Sequence, residues 1–271
     1  TCALPICAVL MHYGDTTVLC TATASEKPRD GIDFFPLSVE YNERLYAVGK
    51  IPGGFNKREG KASENAILTC RVIDRPMRPL FPKDYRNDVT LENLVMSVDQ
   101  DCSPELTAML GAAIATSISD IPFDGPISTT QVGLVDGEFV FNPTAAQKEV
   151  SDLALTVAST KEKVIMIEAG ANEVPEAQMI EAIFAAHELN QKVIAFIETI
   201  VAECGKAKHE YTSCAVPEEL FEAIKEIVPP AEMEEAVFTD DKQTREENIR
   251  VITEKLEEAF AENEEIGRAH V

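Results

Sequence analysis

The chain has 271 residues, of which 45% are hydrophobic and 26% are charged, and its formal net charge is −23. This composition predicts a soluble globular protein with one or two domains. Its longest apolar runs fall far short of the roughly 20 residues that span a bilayer, which excludes a transmembrane helix. Seven scattered cysteines form no C-x-x-C pair and have no histidine partner at metal spacing, so we expect reduced thiols in a cytosolic protein.

The two ends of the chain, TCALPI and IGRAHV, stand apart from the rest. They can be encoded by DNA strings that are reverse complements over nearly their full length, and they resemble a common sequencing adapter read in frame. We therefore expect residues 1–6 and 266–271 to be adapter-derived. The native part of this gene fragment would then run from about Cys7 to Glu265.

The first native elements are predicted to be strands. Apolar, β-branched runs at 8–11 and 16–24 flank Tyr13-Gly14-Asp15, which is a turn signal. They predict a hairpin that opens a sheet. After a polar loop, alternating apolar and polar residues over 33–41 predict another strand.

A basic segment then interrupts the acidic chain. From Arg44 to Arg86 there are ten lysines and arginines and four acids, a local balance of +6, which bears on partners rather than on fold. Pro52-Gly53-Gly54 and Gly60 bound a loop whose tip, residues 55–59, carries one aromatic ring and two cations. A flexible turn of this composition suits a polyanion with stackable bases, which indicates nucleic acid.

A short helix is predicted directly after this loop. Ser63 is a suitable N-cap, Glu64 falls in the first turn, and Pro76 and Pro79 are expected to end the helix. The apolar side is predicted to consist of Ile67, Cys70 and Ile73.

The same helix carries arginines towards its C-terminal end, at Arg71, Arg75 and Arg78. Two interpretations of these arginines stay open. They could bind an anion together, or they could pair on the surface with Asp74 and neighbouring acids, as arginines commonly do.

The rest of the first part of the chain alternates between strand and helix patterns, which indicates an α/β or α+β domain. Asp136-Gly137 is a type I′ hairpin signal, and Pro175 and Gly205 mark the start and stop of a long helix. Strands are predicted over 87–98, 127–135, 138–142, 151–158 and 163–169, and shorter helices over 104–117 and 144–149.

The composition changes after Cys214. Residues 216–265 contain 17 acids and five basic residues, and Pro229-Pro230 separates two apolar patterns of helical spacing. They predict a second, all-helical module whose acidic faces are simply solvated. The periodic apolar residues are Leu220, Phe221, Ile224, Ile227, Ile249, Ile252, Leu256 and Phe260.

Three runs in the chain closely resemble a known family. They are DFFPLSVEYNERLYAVGKIPGGFNKREG, LTCRVIDRPMRPLFP and IPFDGPISTTQVGLV, and they are similar to the first ribonuclease-PH-type core of bacterial polynucleotide phosphorylase. The resemblance implies an α+β fold, with a ribonuclease-PH-like, ribosomal protein S5 domain 2-like βαβ core over 7–214. A small all-α linker domain, truncated, would follow over 215–265.

The resemblance also implies an activity. Members of the family form trimeric rings that degrade RNA from its 3′ end with inorganic phosphate and release nucleoside diphosphates. We expect a cytoplasmic protein that takes part in mRNA turnover as a homotrimer, with RNA-degradation partners and no membrane. The family's Mg²⁺ site and phosphate-binding serines belong to a second core, which we expect to lie outside this chain.

The site residues are transferred from the family motif one by one. The family loop has two phenylalanines followed by two basic residues; here Phe55 and Arg58 match, Lys57 replaces an arginine, and Asn56 replaces the second phenylalanine. One stacking ring is therefore lost, and Lys57 lacks the planar fork of an arginine. The family's RNA- or anion-contacting arginines correspond to Arg71, Arg75 and Arg78.

No residue in the chain is assigned a catalytic or metal-binding role. His12, His187 and His209 have no obvious partners in the sequence, and Gly53-Gly54 lacks the phosphate-loop pattern. Three hypotheses follow: RNA guidance and ring assembly within a phosphorolytic exoribonuclease, a non-catalytic RNA-binding and assembly module, or an acidic interaction scaffold whose basic loop pairs with its own helices. We expect the isolated chain to be inactive.

Overall fold

The computed structural model describes residues 7–29, 31–215 and 217–260. The expected adapter-derived residues 1–6 and 266–271 lie outside this part of the chain. Seven α-helices and eight strands are described, and the strands form two four-stranded sheets. This arrangement confirms the predicted α+β class.

The first sheet has the strand order β1-β2-β4-β3, with β3 parallel to β4 and the other pairs antiparallel. The predicted opening hairpin is confirmed, with Gly14 in the turn at φ +57°. The strand predicted over 33–41 begins late, because Phe35 and Pro36 precede the ladder and Phe35 turns its carbonyl to Arg78. The four strands are β1 Cys7–Tyr13, β2 Thr16–Ala24, β3 Leu37–Asn42 and β4 Val89–Ser97.

The second sheet is antiparallel throughout, in the order β6-β5-β7-β8. Asp136 and Gly137 join β5 to β6 at φ +52° and +82°, the positive values that a type I′ turn requires. The strands are β5 Ser128–Val135, β6 Glu138–Phe141, β7 Leu153–Ser159 and β8 Val164–Ala171.

Four helices cover these sheets. Helix α2 packs on β1 and β2 and also contacts β5, α4 packs on β5 and β7, and α1 packs on β3. The helices are α1 Glu64–Met77, α2 Pro104–Ile118, α3 Ala145–Val150 and α4 Glu176–Cys204. The main core lies between the first sheet and helices α1 and α2, and the largest side chains buried there include Tyr41, Ile73, Met77, Tyr85 and Leu91.

Helix α1 corrects two predictions. It includes Pro76 in its last turn and ends at Met77, where a short 3-10 helix, Arg78–Leu80, continues the chain. Proline is tolerated there because its missing N–H removes only one helical hydrogen bond. Its ring is buried and packs against the core. Ile67 lies on the outer face, 53% exposed, so the predicted apolar side is wrong at that residue.

A buried polar cluster holds α4 against the second sheet. Asn190 is fully buried; its Oδ1 accepts a hydrogen bond of 2.8 Å from Thr130 Oγ1 on β5. Its Nδ2 donates to the Val157 carbonyl at 3.1 Å and to Ser159 Oγ at 2.8 Å, both on β7. All hydrogen-bonding groups of this amide are therefore directed at two strands, which fixes how the helix sits on the sheet.

Residues 205–215, here called the strap, run back over the first core after α4. Lys208 Nζ donates to the carbonyls of Thr116, Ser117 and Ser119 at 3.2, 3.0 and 2.8 Å and so satisfies the C-terminal end of α2. Burial lowers the pKa of Lys208, although the negative charge of Asp120 opposes the shift.

Asp84 holds the other end of the strap. Its carboxylate accepts hydrogen bonds from Tyr211 Oη and Ser213 Oγ, and its backbone carbonyl accepts one from the Cys214 amide. Burial alone would raise the pKa of Asp84, but these hydrogen bonds outweigh it and lower the pKa.

The chain after the strap is helical, as predicted, but it contains three helices where the two apolar patterns indicated two: α5 Glu218–Ile227, α6 Pro230–Val237 and α7 Lys242–Ala259. They bury a small core that contains Val228, Ala236 and Ile252. Phe221 stays 50% exposed, although it shares the predicted apolar pattern. The predicted domain limits, 7–214 and 215–265, stay predictions. Among the described residues, no helix combines the length and the apolar composition that crossing a membrane requires.

Candidate nucleic-acid interface

The glycine-rich loop forms a tight turn at its tip. The Lys57 amide donates to the Gly54 carbonyl at 3.0 Å, which closes a four-residue turn with Phe55 and Asn56 at its centre. Lys57 adopts a φ of +51°, a left-handed value that is uncommon for a residue with a side chain. The turn thus presents Phe55 and the two following cations outwards.

Exposure at this tip is unusually complete. The Phe55 side chain shows 102% of its reference surface to solvent, and Asn56, Lys57 and Arg58 are exposed as well. An aromatic ring without packing partners contributes nothing to the core of this chain. Both faces of the ring are free to stack on a base.

Most cations of the loop and of α1 are unpaired. Within the described ranges, no ion pair or side-chain hydrogen bond involves Lys57, Arg58, Lys61 or Arg71. Because their charges are not neutralised locally, they add to the +6 balance of the segment and produce a positive potential. The four side chains can therefore meet an incoming phosphate without first giving up a partner.

The exposed face of α1 combines this charge with apolar surface. Ile67 and Leu68 are 53% and 52% exposed, and Arg71 and Arg75 follow them on the solvent side. Arg75 Nη1 lies 3.6 Å from Glu168 Oε2 on β8, and both side chains are about half exposed. A pair of this length and exposure is worth little and can exchange its partner.

Arg78 differs from the other two arginines. Its Nε and Nη2 donate to the two carboxylate oxygens of Asp74 at 2.9 and 2.6 Å. Its Nη1 and Nη2 also donate to the carbonyls of Phe35 and Leu37, and its guanidinium lies 5.8 Å from the centre of the Phe35 ring. For this arginine the contacts favour the second interpretation, pairing with Asp74, and they tie α1 to the start of β3.

The described residues offer few candidates for a metal site or a catalytic group. No three His, Cys, Asp or Glu side chains among them lie close enough together to hold a metal ion. Each histidine discussed from the sequence has an ordinary partner: His12 with Thr17, His187 with Gln191, and His209 with Tyr85. The geometry suits binding of an anionic, base-bearing chain, and none of these contacts resembles a nucleophile with its base.

Glu59 makes a contact that the sequence analysis does not predict. Glu59 Oε1 accepts a hydrogen bond of 2.6 Å from the Leu45 amide, across the base of the loop. The signal was available, since Glu59 is the single acid among the loop cations and directly precedes Gly60. Its partner lies 14 residues away in the chain, a distance that local pattern rules do not cover.

Two domain models of one protein family match successive parts of the chain. Residues 6–122 match domain 1 of the 3′ exoribonuclease family, and residues 125–188 match domain 2. The chain belongs to the 3′ exoribonuclease family. The ribonuclease-PH-like fold predicted from the sequence is thereby confirmed.

Similar individual proteins indicate which kind of 3′ exoribonuclease this chain resembles. A polyribonucleotide nucleotidyltransferase of Lachnoclostridium phytofermentans is 80% identical over 94% of this chain and 37% of that protein. One from Ruminiclostridium cellulolyticum is 58% identical over 94% of this chain and 36% of that protein. The resemblance to polynucleotide phosphorylase is therefore confirmed, and the chain spans little more than a third of the length of these relatives.

A solved structure supports the fold alone. The crystal structure of rice Rrp46 superimposes with a TM-score of 0.57 at 14% sequence identity, and the match covers 73% of this chain and 94% of that one. At this identity the similarity concerns the arrangement of sheets and helices.

Proposed function

We propose that this chain supplies RNA guidance and ring assembly within a 3′-to-5′ phosphorolytic exoribonuclease, a polyribonucleotide nucleotidyltransferase that releases nucleoside diphosphates. The observation that carries the proposal is the loop tip, where a fully exposed Phe55 stands beside two unpaired cations. Single-stranded RNA is the polymer that uses both features, because its bases stack on aromatic rings and its phosphates attract cations. The names of the relatives support the same activity.

The RNA contacts are divided between two elements. Phe55, Asn56, Lys57 and Arg58 form the tip that meets the strand, and Arg71 and Arg75 extend the positive surface along α1. The sequence predicts that Arg78 belongs to the same cluster. Its bonds to Asp74, Phe35 and Leu37 support a role in holding α1 in place, with any RNA contact secondary.

Further parts of the function rest on the family. Inorganic phosphate would be the co-substrate, and Mg²⁺ would act in the second core of the longer relatives. The described residues do not offer a ligand set for that ion, so no chemical step is assigned to it here. We also infer a homotrimer that is cytoplasmic and takes part in mRNA degradation with partner proteins.

The proposal is tested with the full chain and a labelled single-stranded RNA. We expect binding at low salt that weakens steadily as salt is raised, measured by fluorescence anisotropy. With inorganic phosphate and Mg²⁺ added, we expect the chain alone to release no nucleoside diphosphate.

Two results would contradict this proposal. Undetectable binding at low salt would remove the RNA-guiding role. Robust phosphate-dependent release of nucleoside diphosphates from a clean preparation would show that the chain holds the chemical site itself.

The scaffold hypothesis is less well supported. It requires the basic loop to pair with the acidic helices, whereas the ion pairs of α5 to α7 are made inside that module. Examples are Lys225 with Glu222, Arg250 with Glu247, and Lys255 with Glu232. The acidic helices therefore already use part of their charge within their own module.

Asn56 is where the loop departs from the family motif. Replacing it in the variant Asn56→Phe adds a second ring to the exposed tip, and we expect about fivefold tighter binding of single-stranded RNA, near the low end of the stacking effect. The measurement is a titration against RNA and against an abasic oligomer of equal charge. A gain that is the same for both oligomers would contradict stacking, and Asn56→Ala serves as the matched control.

A further inference from the structure

The loop that presents Phe55 is almost free of contacts. It comprises residues 50–62, between the 3-10 helix Leu45–Val48 and the N-cap of α1 at Ser63. Among the described residues, Glu59 is the one side chain in this loop with a hydrogen bond to the rest of the protein. Without that bond, the 13-residue span would be held by its two ends and by its own turn at Gly54 and Lys57.

The partner of Glu59 is a backbone group that needs an acceptor. Leu45 begins the 3-10 helix, and the residue before it, Arg44, makes no side-chain capping bond. The first amides of a helix have no acceptor within the helix, and a carboxylate oxygen can satisfy such an amide with a charge-assisted hydrogen bond. Glu59 thus caps a helix that lies 14 residues earlier in the chain.

The 3-10 helix itself is firmly placed. Ala47 is buried, and its carbonyl accepts a hydrogen bond of 3.2 Å from the Val98 amide at the end of β4. Gly49, at φ +67°, closes the helix, and its backbone amide donates a hydrogen bond to the Tyr46 carbonyl. Hydrogen bonds therefore connect the first sheet to the 3-10 helix at Ala47, and the 3-10 helix to Glu59 at Leu45.

We infer that Glu59 is a positioning residue that fastens the RNA-binding loop to the first sheet through the Leu45 amide. The inference rests on the proposed function and deepens it, because it identifies what sets the position of the tip. A hydrogen bond to a carboxylate is stronger than one between neutral groups. Loss of the hydrogen bond between Glu59 and Leu45 lowers the fraction of molecules whose loop tip is in the binding position. The apparent affinity for RNA falls with that fraction.

The first arm of the test needs no RNA. Trypsin can cut after Lys50, Lys57, Arg58 and Lys61, all within this loop. These side chains are exposed, but the loop must open into an extended chain to enter the protease, and the hydrogen bond of Glu59 opposes that opening. We expect Glu59→Ala to speed cleavage at these sites about tenfold, the factor for losing one charge-assisted hydrogen bond. Glu59→Gln keeps an acceptor oxygen and should stay within about threefold of the unmodified chain. Sites are assigned by mass spectrometry.

The second arm measures RNA binding and separates position from charge. Both variants remove one negative charge beside the RNA cations, which alone would tighten binding in each. A positioning role predicts opposite directions: Glu59→Ala should bind single-stranded RNA about threefold more weakly, whereas Glu59→Gln should bind as tightly as the unmodified chain or more so. Glu64→Ala, an exposed acid in the first turn of α1, is the matched charge control and should not weaken binding.

The outcomes are distinguishable. Equal cleavage rates in the alanine variant and the unmodified chain would overturn the fastening role, as would tighter RNA binding by both Glu59 variants. If cleavage accelerates as expected but the unmodified chain binds no RNA, the proposed function fails and the RNA consequence of Glu59 fails with it. Faster cleavage together with the opposite RNA effects supports both.

Discussion

Replacing Lys57 and Arg58 together by alanine is expected to weaken binding of single-stranded RNA about 30-fold at low salt, roughly the value of two exposed cation–phosphate contacts. Neither side chain has a partner in the described part of the chain, so the fold should not change. Circular dichroism and the thermal midpoint should match those of the unmodified chain. The expected loss is therefore a loss of contacts with the RNA.

The salt dependence provides the sharper measurement. Each phosphate contact to single-stranded RNA contributes a slope of about −0.7 in log affinity against log salt, so the double variant should lose about 1.4 units of slope. Lys148→Ala combined with Lys192→Ala removes the same charge from exposed positions on α3 and α4. If this control loses as much affinity as the loop variant, the binding reflects overall charge and the loop has no special role.

Local sequence signals predicted much of this fold correctly. Ser63 accepts the capping bond from Ala66 at 3.1 Å, as its position before a helical pattern predicted. Asp136-Gly137 forms the expected hairpin turn, and Pro175 and Gly205 flank the long helix α4. Each signal acts within a few residues, because the backbone geometry of a cap or turn depends on the residues that form it.

The candidate site was less predictable because its contacts are not local. The three arginines look equivalent along α1, yet Arg78 is engaged by the carbonyls of Phe35 and Leu37, more than 40 residues earlier in the chain. Arg71 has no partner among the described residues, and Arg75 has only a long, exposed pair with Glu168. Which arginine is free depends on where the start of β3 lies, and residue spacing does not contain that information.

Asn190 is a second residue that sequence patterns do not identify. In the sequence, an asparagine followed by Gln191 and Lys192 looks like a solvent-facing position on a helix, but this one is fully buried. It is explained by the second sheet, where the hydroxyls of Thr130 and Ser159 need partners in an otherwise apolar layer. A polar group in this place fixes the register of α4 on the sheet, which apolar contacts alone would specify less strictly.

Asn190→Leu is expected to lower the free energy of unfolding by about 4 kcal/mol, because it leaves two hydroxyls buried without partners. For a domain of this size the thermal midpoint should fall by roughly 10 °C, as measured by calorimetry or circular dichroism. The exposed Asn172→Leu is the matched control and should stay within about 0.5 kcal/mol of the unmodified chain.

A triple variant identifies the cause of that loss. Adding Thr130→Val and Ser159→Ala to Asn190→Leu removes both stranded hydroxyls and should recover more than half of the lost stability, since replacing both partners of a buried bond by apolar groups is often nearly neutral. If the triple variant is no more stable than Asn190→Leu alone, the loss arises from the shape of leucine against β5 and β7, and the hydrogen bonds of Asn190 do not hold α4 on the sheet.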